Sequence, residues 1–155
     1  MRKLIIRVDA TPQVGMGHAV RTAALVESLR DSFEPVLCGT DDKLNQAFHN
    51  IPHMPLEEAL KDDQAIILVD HPLGLSAVPE TAHPKIMVDD HGNLKGADLV
   101  LNGTVTAGPT LYPELQDPDK LLLGPDFVLL RQPFGESSSI ERKLARDMDE
   151  EAHEK

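Results

Sequence analysis

The sequence predicts an α/β protein with an open, mostly parallel, Rossmann-like sheet and helices on both faces. Short apolar runs recur between Leu4 and Leu123, and they are continuous rather than alternating. Strands of a parallel sheet that is covered on both faces have this pattern. Helical spacing appears between the early runs, so strand and helix alternate as they do in doubly wound folds.

Six apolar runs give the predicted strands: Leu4–Val8, Pro35–Cys38, Ala65–Val69, Lys85–Val88, Ala97–Leu101 and Lys120–Leu123. The first helix is predicted over His18–Arg30, where apolar side chains recur at i, i+3 and i+4. Shorter helices are expected over Asp42–His49 and Leu56–Lys61. These elements together predict one domain over residues 1–134.

The last part of the chain has a different character. Residues 135–139 are rich in glycine and serine, which indicates a linker. Over residues 140–155, Ile140, Leu144 and Met148 recur at i, i+4 and i+8 among charged side chains, so an amphipathic helix is predicted. That helix is expected either to pack back on the domain or to dock a partner chain or a second copy.

Composition and charge exclude several classes of partner. Among 155 residues, 15 Lys and Arg stand against 26 Asp and Glu, a net charge of −11 that repels phosphate backbones and anionic membranes. Aromatic residues make up 3%, too few for a surface that stacks single-stranded nucleic acid. No apolar run is long enough for a signal sequence or a membrane span, so we expect a cytoplasmic protein with no membrane or nucleic-acid partner.

Cysteine and most histidines carry little functional signal. The single cysteine, Cys38, excludes an intrachain disulfide and a zinc site with several cysteines, and we expect it to be a buried small hydrophobic residue. Four histidines, His49, His53, His83 and His153, are expected on the surface.

The segment between the first strand and the first helix is the most informative. It places Asp9 at the strand end, Gly15 and Gly17 in the loop, His18 in the first helical turn and Arg21 one turn later. The glycines allow a tight turn and close approach, and free N–H groups at a helix start favour an anion. A helix N-terminus also disfavours imidazolium, so His18 is a candidate general base. Alternatively, His18 caps or packs against the helix start.

Acidic and histidine residues follow two further predicted strands. Asp70-His71 comes after the third strand and Asp89-Asp90-His91 after the fourth. Because the carboxyl ends of parallel strands meet at one crevice, these residues are expected near Asp9. Asp and His also ligate Zn, Mn and Fe, which makes a metal-dependent phosphoesterase an alternative function. A third interpretation is that these acids only cap helices and fix loops.

The ordered motifs resemble those of a known family. The pattern Asp9-x-x-x-x-x-Gly15-x-Gly17-His18-x-x-Arg21 is similar to the N-terminal signature of the UDP-2,4-diacetamido-2,4,6-trideoxy-β-L-altropyranose hydrolases and of related spore-coat polysaccharide proteins. Both resemble inverting glycosyltransferases with two Rossmann domains. The resemblance covers residues 1–134 and includes Leu68-Val69-Asp70-His71, Met87-Val88-Asp89-Asp90 with Ala97–Asn102, Leu111-Tyr112 and Leu122–Phe134.

The resemblance implies sugar-nucleotide chemistry in surface polysaccharide or nonulosonic acid biosynthesis. His18 would be the base that activates water, or orients an acceptor, against the anomeric carbon, and UDP would leave with no metal or cofactor. Asp9 would hold the glycine loop or bind sugar hydroxyls, and Arg21 would counter anionic charge or pair with Asp9. Further substrate contacts would come from Gly15, Gly17, Asp70, His71 and Asp90.

The resemblance also implies a partner for the nucleotide. The family holds the nucleotide on a second Rossmann domain, whereas a charged helix is predicted over residues 140–155 of this chain. We therefore expect a separate nucleotide-binding subunit, or a homo-oligomer through that helix, and only weak binding of UDP by the chain alone. A non-catalytic binding or scaffold domain is a further alternative.

Overall fold

The computed structural model describes residues 1–39, 41–92 and 96–130. The strands are β1 (Arg2–Val8), β2 (Phe33–Leu37), β3 (Ile66–Asp70), β4 (Lys85–Val88), β5 (Leu99–Asn102) and β6 (Leu121–Leu123). The α-helices are α1 (Gly17–Leu29), α2 (Leu44–Ala47) and α3 (Leu56–Ala59). Every strand pair is parallel, and the order across the sheet is β2-β1-β3-β4-β5-β6. The predicted open, parallel α/β fold is confirmed.

All six predicted strands are present, with ends displaced by at most two residues. The two later helices are shorter than predicted, and each is a single turn. In α2 the turn ends because Phe48 already has a non-helical ψ of 73°. The predicted linker and amphipathic helix, residues 135–155, lie outside the described residues. No helix in the described part of the chain has the length and apolar character needed to cross a bilayer.

The sheet carries a core on each face, because successive side chains of a strand point to opposite sides. On one face Leu4, Ile6 and Val8 of β1 pack with Val26 of α1 and Leu44 of α2. The second core contains Ile5, Val36, Cys38, Ala59, Ile67 and Val69. Helices therefore cover both faces, as predicted.

Cys38 belongs to the second core and is 5% exposed. Burial raises the pKa of its thiol to about 11, against the weaker opposite effect of the Arg7 charge. The prediction that Cys38 is a buried small hydrophobic residue is confirmed.

The strand order reverses at β1. Its neighbours are β2 on one side and β3 on the other, so the chain leaves the sheet at one flank of β1 and returns at the other. In open α/β sheets, ligands bind in the crevice beyond the carboxyl ends of the strands at such a point. The loop from β1 to α1 and the segment after β3 border this crevice.

The connection between β3 and β4 departs from the doubly wound pattern. It holds a single 3-10 turn, Gly74–Ala77, where a crossover helix is usual. Residues 89–98, between β4 and β5, form a short link in which the described residues show no helix. Met87 of β4, which belongs to the second core, is nevertheless only 2% exposed.

Strand β2 lies at one end of the described sheet and contains a proline. The amide N–H of Cys38 donates to Ile6 O in β1 at 2.8 Å, whereas Leu37 N–H points outward and donates to Pro52 O at 2.9 Å. The direction of the backbone N–H alternates from one residue of a strand to the next. The nitrogen of Pro35, two residues before Leu37, therefore also points outward. Proline is tolerated in a sheet at such an outer position, where its missing N–H breaks no internal bond.

Candidate functional site

Asp70 is the centre of the site. It is the last residue of β3 and is fully buried. Its carboxylate accepts four hydrogen bonds: from Arg21 Nε at 2.6 Å and Nη2 at 2.7 Å, from His18 Nδ1 at 2.5 Å and from Thr22 Oγ1 at 2.7 Å. Burial alone would raise the pKa of Asp70, but the hydrogen bonds from Arg21 and His18 and the charge of Arg21 outweigh it and lower the pKa. The carboxylate is therefore ionised.

Helix α1 presents its three donors to Asp70 through ordinary helical spacing. His18, Arg21 and Thr22 stand at i, i+3 and i+4, which places them on one face of the helix. The loop before them turns at Gly15, which has a φ of +75° and donates its amide to Thr11 O at 2.7 Å. Glycine is needed at this position because other residues rarely adopt a positive φ.

The contact with Asp70 determines which nitrogen of His18 is available. Since Nδ1 lies 2.5 Å from a carboxylate oxygen, the neutral ring carries its hydrogen there and keeps a lone pair on Nε2. In this tautomer the approach of Arg21 Nη2 to Nδ1, at 3.3 Å, is a contact and not a hydrogen bond. His18 does not cap α1, because Met16 is the N-cap residue and makes no side-chain cap.

Arg21 joins Asp70 to Asp90. Its Nη1 lies 2.7 Å from both carboxylate oxygens of Asp90. Burial by itself would lower the pKa of Arg21, but the hydrogen bonds and charges of Asp70 and Asp90 raise it. The hydrogen bonds of Arg21 thus go to Asp70 and Asp90, because the loop after β4 brings Asp90 to the helix. One guanidinium is thus matched by two carboxylates, so it is poorly suited to bind a phosphate.

A second network ties the ends of β1 and β3 together. Arg7 holds Asp9 with two hydrogen bonds, Nη1 to Oδ1 at 2.7 Å and Nη2 to Oδ2 at 3.1 Å. His71 Nε2 lies 2.8 Å from Asp9 Oδ2, and Leu73 N–H donates to His71 Nδ1 at 3.1 Å. Nδ1 is therefore an acceptor and Nε2 carries the hydrogen. Both nitrogens of His71 are therefore engaged within the protein.

A third network fixes the loop after β4. Asp89 Oδ2 accepts hydrogen bonds from Tyr112 Oη and from Gly92 N–H, both at 2.6 Å. Asn102 Nδ2 donates to the same tyrosine oxygen at 2.7 Å, and Asn102 Oδ1 accepts from the amide and hydroxyl of Thr104. Asp89, Asn102 and Tyr112 are all buried. This network holds in place the loop that carries Asp90 and His91.

These networks border a cleft of about 300 Å³ beyond the ends of β3 and β4. Its polar wall consists of His18, Arg21, His71, Asp89, Asp90 and His91. A smaller cavity of about 150 Å³ lies on the other side of Arg21 and Asp90, against residues 127–129. We call the larger space the His18 cleft.

The structure therefore unites most of the predicted site. His18, Arg21, Asp70 and Asp90 form one network at the His18 cleft, and Asp9 is joined to it through His71. Gly15 lies in the exposed loop before α1 and Gly17 is the exposed first residue of α1, and neither lines the cleft. A Cβ added at Gly17 would meet nothing within 4 Å, so the space beside this loop is open.

Sequence analysis missed three residues that build the site. Arg7 lies inside the first predicted strand, Leu4–Val8, and the sequence assigns it no role, although a charged residue inside a buried strand signals a buried partner. Tyr112 and Asn102 entered only through the resemblance. His83, expected on the surface, is half-buried and donates from Nε2 to Asp62 O at 3.0 Å.

The geometry gives no support to the alternative of a metal-dependent phosphoesterase. Within residues 1–39, 41–92 and 96–130, no group of three or more His, Cys, Asp and Glu side chains is placed to hold a metal ion. The carboxylates expected to ligate a metal are instead hydrogen-bonded to protein donors, Asp70 to Arg21 and Asp89 to Tyr112.

The burial of Tyr112 predicts a loss of stability at high pH. Burial, and then the hydrogen bond to Asp89, raise the pKa of its phenol. Because the pKa of this phenol is raised in the folded state, the protonated phenol contributes its full stabilisation below the unfolded pKa of about 10. That contribution is lost as the pH rises above this value. Tyr112→Phe is expected to remove this dependence, as measured by urea unfolding between pH 8 and about 11.

Tyr112 is the only tyrosine and the chain has no tryptophan, so tyrosinate absorbance reports this residue alone. The absorbance of the folded protein is expected to rise at a clearly higher pH than that of the urea-unfolded protein. The same midpoint in both states would contradict the buried hydrogen bond.

No protein-family model and no curated protein matches the chain. Function is therefore proposed from the geometry of the His18 cleft together with the resemblance of its sequence pattern.

Proposed function

We propose that the chain is the sugar-side domain of a UDP-sugar hydrolase or a related glycosyltransferase, with His18 as the base. The contact between His18 Nδ1 and Asp70 at the strand-order reversal carries the proposal. It supports a base because the carboxylate orients the ring and stabilises the imidazolium that forms when Nε2 accepts a proton.

The convergence of separate motifs supports the proposal further. His18 and Arg21 come from the first stretch that resembles the family, Asp70 from the second and Asp90 from the third. Hydrogen bonds of 2.5–2.7 Å connect all four side chains in one network. The resemblance is thus concentrated in residues that meet at one cleft.

The proposed reaction uses water or an acceptor hydroxyl as the nucleophile. Nε2 of His18 takes the proton while the nucleophile's oxygen bonds to the anomeric carbon. The bond from that carbon to the diphosphate oxygen breaks, and UDP leaves with the electron pair. Asp70 remains ionised and holds the Nδ1–H throughout.

Size and charge favour the sugar rather than the nucleotide as occupant of the His18 cleft. Its volume of about 300 Å³ is at the lower limit of ligand sites, which span about 300–1,000 Å³. Arg21 is already matched by Asp70 and Asp90, so a diphosphate would meet a locally acidic wall. We therefore propose that the nucleotide is held by a second domain or subunit.

His18→Ala is the direct test of the proposed base. Where UDP-sugar turnover is measured, with the chain alone or with a nucleotide-binding partner, the substitution is expected to lower the rate by about 10²–10⁴-fold. The melting temperature is expected to fall only modestly, because Asp70 keeps three of its four hydrogen bonds, those from Arg21 and Thr22. Turnover is measured as release of UDP, beside thermal unfolding of the same samples.

His49→Ala is the matched control, since His49 is exposed and does not line the cleft. Binding is followed independently by amide chemical shifts during titration with monosaccharides, and residues 71–74 and 89–92 are expected to respond. Unchanged turnover in His18→Ala, or sugar binding that leaves those residues unmoved, would refute the assignment.

A further inference from the structure

A second histidine, His91, lines the His18 cleft and has no role in the reaction proposed above. It belongs to the loop after β4, whereas His18 comes from α1, so the two rings reach the cleft from different elements. The side chain of His91 is exposed, and a molecule that enters the cleft can therefore contact it.

The backbone before His91 is fixed by its neighbours. The amide N–H of Asp89 donates to Leu101 O at 2.9 Å, which continues the pairing of β4 with β5. Asp90 is held to α1, because both of its carboxylate oxygens lie 2.7 Å from Arg21 Nη1. The chain thus arrives at His91 from two residues that are each bonded to another element of the fold.

The backbone after His91 is fixed as well. Gly92 donates its N–H to Asp89 Oδ2 at 2.6 Å, and the same oxygen accepts from Tyr112 Oη. Gly92 has a φ of +88°, and a Cβ there would lie 2.9 Å from Leu111 Cβ, so the glycine packs closely at this point. None of these contacts involves the His91 ring. The protein therefore holds an exposed ring at a defined place beside the cleft, which is the arrangement that a preorganised binding residue needs.

Other polar groups of the cleft wall are already engaged. Both nitrogens of His71 are hydrogen-bonded within the protein, and Arg21 is shared by two carboxylates. Nε2 of His18 is reserved for the proton of the nucleophile. A sugar carries several hydroxyl groups, and a neutral imidazole offers one donor and one acceptor to them. His91 thus supplies hydrogen-bonding capacity that these three residues do not.

We propose that His91 is a sugar-binding residue of the His18 cleft, where its ring hydrogen-bonds a hydroxyl group that does not react. This inference rests on the function proposed for His18, because it requires a sugar in the cleft. A hydrogen bond to a non-reacting hydroxyl is made in the bound substrate and in the transition state alike. It therefore lowers KM and leaves kcat nearly unchanged.

The test is a titration of the full chain with glucose, galactose, mannose and N-acetylglucosamine, followed by amide and histidine ring ¹⁵N chemical shifts. At least one sugar is expected to shift the His91 ring and the amides of residues 71–74, with a Kd of roughly 1 mM. His91→Ala is expected to weaken this binding about tenfold, as loss of one hydrogen bond does. His91→Gln, which keeps a donor and an acceptor, is expected to recover part of the affinity.

His53→Ala is the matched control, because His53 is exposed and does not line the cleft. It is expected to leave the affinity unchanged. Where turnover is measured, His91→Ala is expected to raise KM about tenfold with kcat nearly constant, whereas His18→Ala lowers kcat. Thermal unfolding confirms that each variant is folded.

The outcomes separate this inference from the proposed function. If a sugar binds His91→Ala as tightly as the wild-type chain, His91 is not a sugar-binding residue, while the assignment of His18 stands. A fall in kcat at constant KM overturns the inference too, because it makes His91 a participant in the chemical step. If no sugar shifts any residue of the wild-type cleft, the inference and the proposed function fail together.

Discussion

Asp70→Ala is expected to lower the free energy of unfolding by about 3 kcal/mol, the lower end of the cost of removing one partner from a buried ion pair. The substitution removes the acceptor of four hydrogen bonds at a fully buried position. Arg21 keeps Asp90 as a partner and is partly exposed, which holds the cost to that lower end. Urea unfolding followed by circular dichroism measures the difference.

The same substitution is expected to change the acid sensitivity of the fold. Because the pKa of Asp70 is lowered in the folded state, its contribution is present above the ordinary value of 3.8 and is lost as the pH falls through the folded value. The wild-type chain should lose stability more steeply than Asp70→Ala below about pH 4. Asp90→Asn, at the half-exposed end of the network, is the control and is expected to cost less. Equal losses in both variants would mean that Asp70 is not the centre.

Gly39→Ala is expected to cost about 2 kcal/mol or more, as overpacking of a filled core does. Gly39 follows β2 where the chain passes close to β1, and an added Cβ would lie 2.5 Å from Val8 O and against Leu44 Cδ1. The leucine side chain can rotate, but the carbonyl belongs to the end of a central strand. Either β1 or the start of the α2 segment must move, and the site residue Asp9 follows directly after Val8.

Gly17→Ala is the matched control for this prediction. Its Cβ would meet nothing within 4 Å, and its φ is not positive. The free energy of unfolding is expected to stay constant or to rise by up to about 1 kcal/mol, since alanine restricts the unfolded chain. Thermal and urea unfolding of the two variants side by side give the comparison. If the two variants have similar free energies of unfolding, the backbone at Gly39 does not pack closely against Val8 O of β1.

The fold was predictable because its strongest signals are local. Six continuous apolar runs mark the strands, and the i, i+3, i+4 spacing marks α1 almost to the residue. The lengths of α2 and α3 were overestimated. Where these helices end depends on single backbone angles, such as ψ at Phe48, which the spacing of apolar residues does not reveal. The 3-10 turn between β3 and β4 was not predicted, because so short a turn leaves little pattern in a sequence.

Part of the site was predictable for the same reason. The spacing of His18 and Arg21 follows from helix geometry, and the strand-end rule brings Asp70 to them. The pairing of Arg21 with Asp90 depends on the course of the loop after β4. That loop is fixed by Tyr112, more than twenty residues later in the chain. Such long-range choices of partner leave no local trace.

The outward nitrogen of Pro35 has a consequence for self-association. An exposed strand edge is a template on which a second chain can add a strand, and such addition seeds aggregation. At this edge Pro35 offers no N–H, while both the N–H and the C=O of Leu37 are already bonded to residues 52–54. Lateral growth of the sheet is therefore blocked along β2, and concentrated solutions of the folded chain are protected from polymerising through this flank.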